Sequence, residues 1–248
     1  MLWIYFLILF IITFVSASIP FIAKWYKASW QVLLLAFSGS FLFSISAIHL
    51  MPETFHELGH QAGMFIILGF FLQLLLQKFS HGAEHGHIHE HDTHGHQPIG
   101  MILIGLGIHA FMEGIPLGFN YQHEGTSPSL FLGVMAHKIP EALTLAAFIL
   151  SARSISNKWF LIFFFALISP LAGILAMVYG QKFYFISSLL TYIVPIVIGS
   201  FLHISTTILY ESGTKKHELS KQKIVAILLG VLFALCTYWL NEHTHMVH

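Results

Sequence analysis

Apolar residues in this chain come in long runs broken by short polar stretches, and the length of the runs is the first clue to its structure. A hydrocarbon core asks for about 20 consecutive apolar residues per helix, within a range of about 17–25. Eight stretches answer to that length: 1–23, 30–50, 62–78, 98–119, 129–151, 158–179, 186–209 and 224–241. The pattern predicts an all-α integral membrane protein, a single transmembrane domain over 1–248 with eight crossing helices. Ser16-Ala17-Ser18 offers a weak cleavage-like site in the first run. No basic residue precedes it, since the first is Lys24, and the run is too long for a signal peptide, so it is read as a retained helix.

Composition sharpens the class. The chain is 56% hydrophobic and 9% charged, whereas a soluble domain carries about 25% charged residues, so this one cannot cover a water-facing surface. Formal net charge is zero, and nothing points to nucleic acid. Cys236 is the single cysteine and lies in an apolar run, which excludes a disulfide framework and a thiolate metal site. Eighteen histidines remain to be explained.

The basic residues give the orientation. Lys24, Lys27, Lys78, Arg153, Lys158, Lys215, Lys216, Lys221 and Lys223 gather at one end of the spans, Lys182 stands at the other, and Lys138 falls inside the fifth. By the positive-inside rule the crowded end is cytoplasmic and both termini face outward. Gly39-Ser40-Phe41-Leu42 in the second span returns as Gly199-Ser200-Phe201-Leu202 in the seventh. Those spans run in opposite directions, as in an inverted repeat, which predicts a 3+2+3 arrangement around a central pair.

That central pair carries the chemistry. His109 is followed four residues later by Glu113, and His137 by Glu141. On a helix such a pair shares one face, one turn apart. Ionisable side chains at bilayer depth are costly and are functional candidates by default. A lone buried His is more often a core residue than a ligand; a second His–Glu pair in the next span reverses that reading. Two imidazoles and two carboxylates suit Zn²⁺, with Fe²⁺, Mn²⁺ and Cd²⁺ plausible on the same donors. Pro116 and Pro140 free the Met112 and Ala136 carbonyls beside the pairs, while Gly105, Gly107, Gly114 and Gly118 are expected to let the two helices approach closely. Between spans three and four, the stretch 80–97 is low in complexity and rich in histidine: His81, His85, His87, His89, His91, His94 and His96. Such spacing suits loose, exchangeable metal contact in a solvated linker.

The two motifs, HAFMEGIPLG at 109–118 and HKIPE at 137–141, resemble the fourth and fifth helices of the Zrt/Irt-like (ZIP) family of divalent-metal transporters. The eight-helix layout, outward termini and cytoplasmic His-rich loop match as well. The resemblance implies movement of zinc as substrate toward the cytoplasm, without an organic cofactor, by a homodimer in the plasma (inner) membrane using an elevator-like motion. It also exposes departures. Many members hold a second metal on an Asn or Asp after the first motif's His, an acidic residue after the second motif's His, and a Glu before the sixth-helix Pro. Here those positions are Ala110, Lys138 and Ser169. Lys138, three residues before Glu141, is expected to pair with it and to stand in for the second cation.

The remaining polar residues are assigned by position. His49, Glu53, His56 and Glu57 are expected at the outer mouth. His56-Glu57-Leu58-Gly59-His60 also fits the His-Glu-x-x-His pattern of zinc proteases, yet follows Pro52 in what is read as a short connection. Glu211 ends the seventh span much as a Glu does in the family and, with the loop histidines, is the expected exit. His203 is open between relay and core. Two rival functions follow from the same residues. A membrane-embedded zinc hydrolase predicts turnover without cation flux, and a metal sensor predicts binding without flux.

Overall fold

The computed structural model describes residues 2–23, 28–80, 99–119, 127–151, 157–213 and 220–245. Every regular element among them is helical: α1 (Leu2–Ile22), α2 (Ala28–Ile45), a π turn (Ser46–Leu50), α3 (Met51–Leu58), α4 (Gln61–Ser80), α5 (Ile99–Phe119), α6 (Ser127–Ser151), α7 (Lys158–Lys182), α8 (Tyr184–Gly213) and α9 (Lys221–His245). Eight stretches are long and apolar enough to cross a membrane, and they follow the predicted spans with one exception. The second does not stop near residue 50 but runs from Trp30 to Leu58.

The reason lies in the π turn. Met51 N–H donates to the Ser46 carbonyl, five residues back, and Pro52 then falls in the first turn of α3. There a missing N–H costs least, so the proline does not end the span. What ends it is Gly59, whose φ of 55° is left-handed and whose N–H closes on the Phe55 carbonyl at 2.9 Å.

The helices associate in two sets. In one, α2, α4, α8 and α9 pack together: α4 on α8, α9 on α2, and α2 on α8. In the other, α1, α5, α6 and α7 do so: α5 on α7, and α1 on both α6 and α7. Small residues account for the closeness inside each set, since lipid gives helices no hydrophobic reason to associate. A β-carbon on Gly69 or Gly199 would collide with backbone across the α4–α8 seam, and one on Gly230 with Phe37 and Ser40 of α2. Ser200 Oγ donates to Gln73 Oε1 at 2.7 Å in the same α4–α8 seam. Between the sets, a β-carbon on Gly133 of α6 would find its nearest neighbours in side-chain atoms of Leu42 and Ile45 on α2, at 3.4 Å and beyond.

The two largest apolar clusters among the described residues divide most of the interior. One joins Leu117 of α5 and Leu130, Phe131 and Val134 of α6 to Phe41, Leu42 and Phe201. The other joins Ile102, Leu106 and Ala110 of α5 to Ala142, Leu145 and Ile149 of α6 and Ile162 and Phe165 of α7. Along both α5 and α6 the His–Glu pairs fall at the junction between the clusters. The outward faces of α4 and α9 expose Met64, Ile67, Phe71, Leu228 and Leu232, the surface of a protein solvated by lipid tails.

Candidate metal centre

Helix geometry puts His109 over Glu113 on α5 and His137 over Glu141 on α6. Packing then turns the two faces toward each other. One ligand atom from each of the four residues lies within 4.8 Å of the others, and no residue of the quartet is more than 1% exposed. The two imidazoles meet edge to face, ring centroids 5.8 Å apart. Glu113 is the hub. Its Oε1 is 2.8 Å from His109 Nε2 and 3.8 Å from His137 Nε2, while its Oε2 is 2.7 Å from Lys138 Nζ.

Lys138 does more than the single pairing expected from its spacing. Its Nζ reaches Glu141 Oε2 at 2.5 Å as well as Glu113 Oε2, and lies 5.4 Å from the centre of the Phe165 ring. The ammonium therefore bridges both carboxylates with an aromatic face beneath it. With the imidazoles neutral, the cluster keeps one uncompensated negative charge. Glu141 Oε1, Nδ1 of His109 and both ring nitrogens of His137 are buried without a hydrogen-bond partner. Buried polar atoms of this kind are expensive, and a divalent cation would answer several of them together.

Beside the quartet, Ser169 Oγ donates to the Ala110 carbonyl at 2.7 Å, tying α7 to α5 at two positions that carry no metal-binding side chain in this sequence. A family sequence model described as ZIP zinc transporter matches residues 85–237, which include the whole quartet. The chain belongs to the ZIP family. Among curated relatives, zinc transporter ZIP9 of Micropogonias undulatus is 30% identical over 207 residues, covering 74% of this chain and 66% of the relative. ZIP9-B of Xenopus laevis is 29% identical over 73% of this chain and 66% of its own length. ZIP9 of Xenopus tropicalis is 28% identical over 80% and 71%. The chain thus spans about two thirds of the length of the first two relatives.

The ZIP chain differs from its sequence reading in several places. Three of the four α5 glycines expected to draw it against α6 do not do so. Gly107, Gly114 and Gly118 all face α7, and a β-carbon on Gly114 or Gly118 would strike the backbone of Ser169 or Gly173. The protease-like motif is broken, because α3 ends at Leu58 and Gly59 turns the chain, which leaves His60 off the helix that carries His56. Among the described residues the quartet is the only group of three or more such donors within reach of one ion. The residues expected at the outer mouth are accordingly spread out: His49 is half-buried on the π turn with its ring centroid 5.4 Å from that of Tyr238, Glu53 is partly buried, and His56 and Glu57 are exposed on α3. His203 packs edge-on against Phe70 and shares a 2.8 Å hydrogen bond with Gln77 in the α4–α8 seam. Glu211 lies in the last turn of α8, and the loop histidines 81–96 fall outside the described residues.

Two contacts were missed. Phe165 under Lys138 is buried but has no signature in the sequence, since the exposed Phe160, Phe163 and Phe164 are equally apolar. Only the spacing to Ser169, four residues on, marks its face. Gln31 of α2 donates through Nε2 to Thr144 Oγ1 of α6, and that hydroxyl donates in turn to the Pro140 carbonyl at 2.9 Å. This hydrogen bond joins the two helix sets one turn beyond Glu141.

Proposed function

We propose that this chain carries a divalent transition metal, zinc first, across the membrane toward the cytoplasm. The cation rests at one intramembrane site made by His109, Glu113, His137 and Glu141, and Lys138 stands where two-metal relatives hold a second ion. The observation that carries the reading is four buried N and O donors within 4.8 Å of one another, between two apolar clusters. The residual negative charge lowers the cost of holding a cation in low dielectric. A hydrolytic zinc keeps three protein ligands and an open position for water, whereas here a fourth donor and an ammonium crowd the same space.

The 3+2+3 inverted repeat is part of the proposal. Exchanging span one with six, two with seven, three with eight and four with five turns the α4–α8 pairing into α9–α2, and α5–α7 into α6–α1. These are the principal pairings inside the two sets. Alternating access then comes from one set moving against the other across the α2–α6 seam. The basic residues support outward termini and inward movement, with capture near His49, Glu53, His56 and Glu57 and release past Glu211 and the loop histidines. A homodimer in the plasma membrane completes the reading. Uptake of zinc into proteoliposomes tests it. The Glu113→Ala, His137→Ala double variant is expected to abolish uptake, and flux equal to that of the parent refutes the route.

A further inference from the structure

The ammonium of Lys138 holds the same oxygen, Oε2, of both carboxylates, at 2.7 Å from Glu113 and 2.5 Å from Glu141. The other oxygens are turned elsewhere. Glu113 Oε1 lies against the imidazoles, and Glu141 Oε1 is buried without a hydrogen-bond partner. We propose that Lys138 sets the metal selectivity of the site by occupying one oxygen of each carboxylate, so that each offers a cation a single oxygen. This rests on the proposal that the quartet is the transport site.

The consequence is a count of donors. Two imidazole nitrogens and two single oxygens make a four-donor set, which is the number and the chemistry that Zn²⁺ takes in tetrahedral form. Mn²⁺ asks for a larger, oxygen-rich, octahedral shell. From these four residues alone it could approach that number only if both carboxylates opened to offer two oxygens each. The ammonium is well placed to prevent this, being 1% exposed, in contact with both carboxylates and backed by the Phe165 ring. Lys138 is therefore a positioning residue that acts through Glu113 and Glu141. A lysine acting merely as a positive charge would weaken zinc and manganese alike and leave their ratio untouched.

The test is competitive uptake of Zn²⁺ and Mn²⁺ by full-length protein in proteoliposomes, comparing the parent with Lys138→Met. The expected result is a rise of about 10-fold or more in the manganese-to-zinc uptake ratio, the scale on which groups that orient metal ligands act. An unchanged ratio overturns the inference while leaving the transport site standing. Zinc flux that survives loss of Glu113 and His137 overturns the site itself. Because removing a buried charge can prevent folding, X-ray absorption of the zinc-loaded parent, with histidines 81–96 replaced by Ser in the full chain, provides a second test. Four light donors including imidazole are expected, and a five- or six-donor shell overturns the proposal.

Discussion

Replacing Lys138 by Met removes the positive charge from a cluster whose two carboxylates are fully buried. At the 2.7 Å separation of Nζ from Glu113 Oε2, a pair of unit charges in an effective dielectric of about 20 attracts by about 6 kcal/mol. Part of that offsets the desolvation of the ions, and breaking a buried pair by removing one partner costs about 3–5 kcal/mol in practice. That is the loss of stability expected for Lys138→Met without metal, because Glu113 and Glu141 then repel each other with nothing between them. Glu113→Gln in the same chain removes one of the two charges, so it should recover about 2 kcal/mol of the loss, within the range for groups in direct contact. The assay is denaturant unfolding in detergent micelles of the parent, both single variants and the double, in chelator at one ionic strength. Additivity of the two single effects within about 0.5 kcal/mol would refute the bridge and the charge accounting built on it.

Three further outcomes follow from particular contacts. Thr144→Val removes the hydroxyl that joins α6 to Gln31 of α2; such bonds in membranes average about 0.6 kcal/mol and reach about 1.7, so the zinc uptake rate should change about 3-fold, and an unaltered rate would show the seam does not limit transport. Gly114→Ala places a β-carbon against the Ser169 carbonyl, whereas Gly100 has nothing within 4 Å. Overpacking should cost the first variant about 1–3 kcal/mol and leave Gly100→Ala near the parent by thermal unfolding. The triple variant Ala110→Asp, Lys138→Glu, Ser169→Glu restores acidic side chains at the second-cation positions. It should raise the zinc bound per core site from one to two in equilibrium titration, and a stoichiometry still at one would count against Lys138 as the surrogate.

Much of the fold was legible because a membrane constrains sequence so strongly. Each apolar run had to be a helix, since lipid offers no partner for exposed backbone, and the predicted spans differ in substance only at the second. There the reading failed at Pro52, because whether a proline ends a helix depends on the hydrogen-bond register ahead of it, and a π turn is not visible in hydropathy. The quartet was legible for a similar reason: four-residue spacing fixes a shared face on each helix before any packing is known. Its Lys138–Glu141 pairing followed from local geometry, but the reach of Lys138 across to Glu113 did not, because it depends on how α5 sits beside α6.

By itself the sequence determined the local terms: eight apolar helices, one ionisable face on each of two of them, and a lysine between the second pair. These are properties of a single helix, set by rise and pitch. Tertiary structure decided what crosses between helices. Gly107, Gly114 and Gly118 of α5 serve α7 and not α6, Ser169 reaches the Ala110 carbonyl, Phe165 lies beneath the ammonium, and Gln31 meets Thr144. The physical reason is that lipid tails are as apolar as the side chains they solvate. Hydrophobicity therefore selects which segments become helices but not which helices touch; close packing at small residues and a few buried polar contacts make that choice.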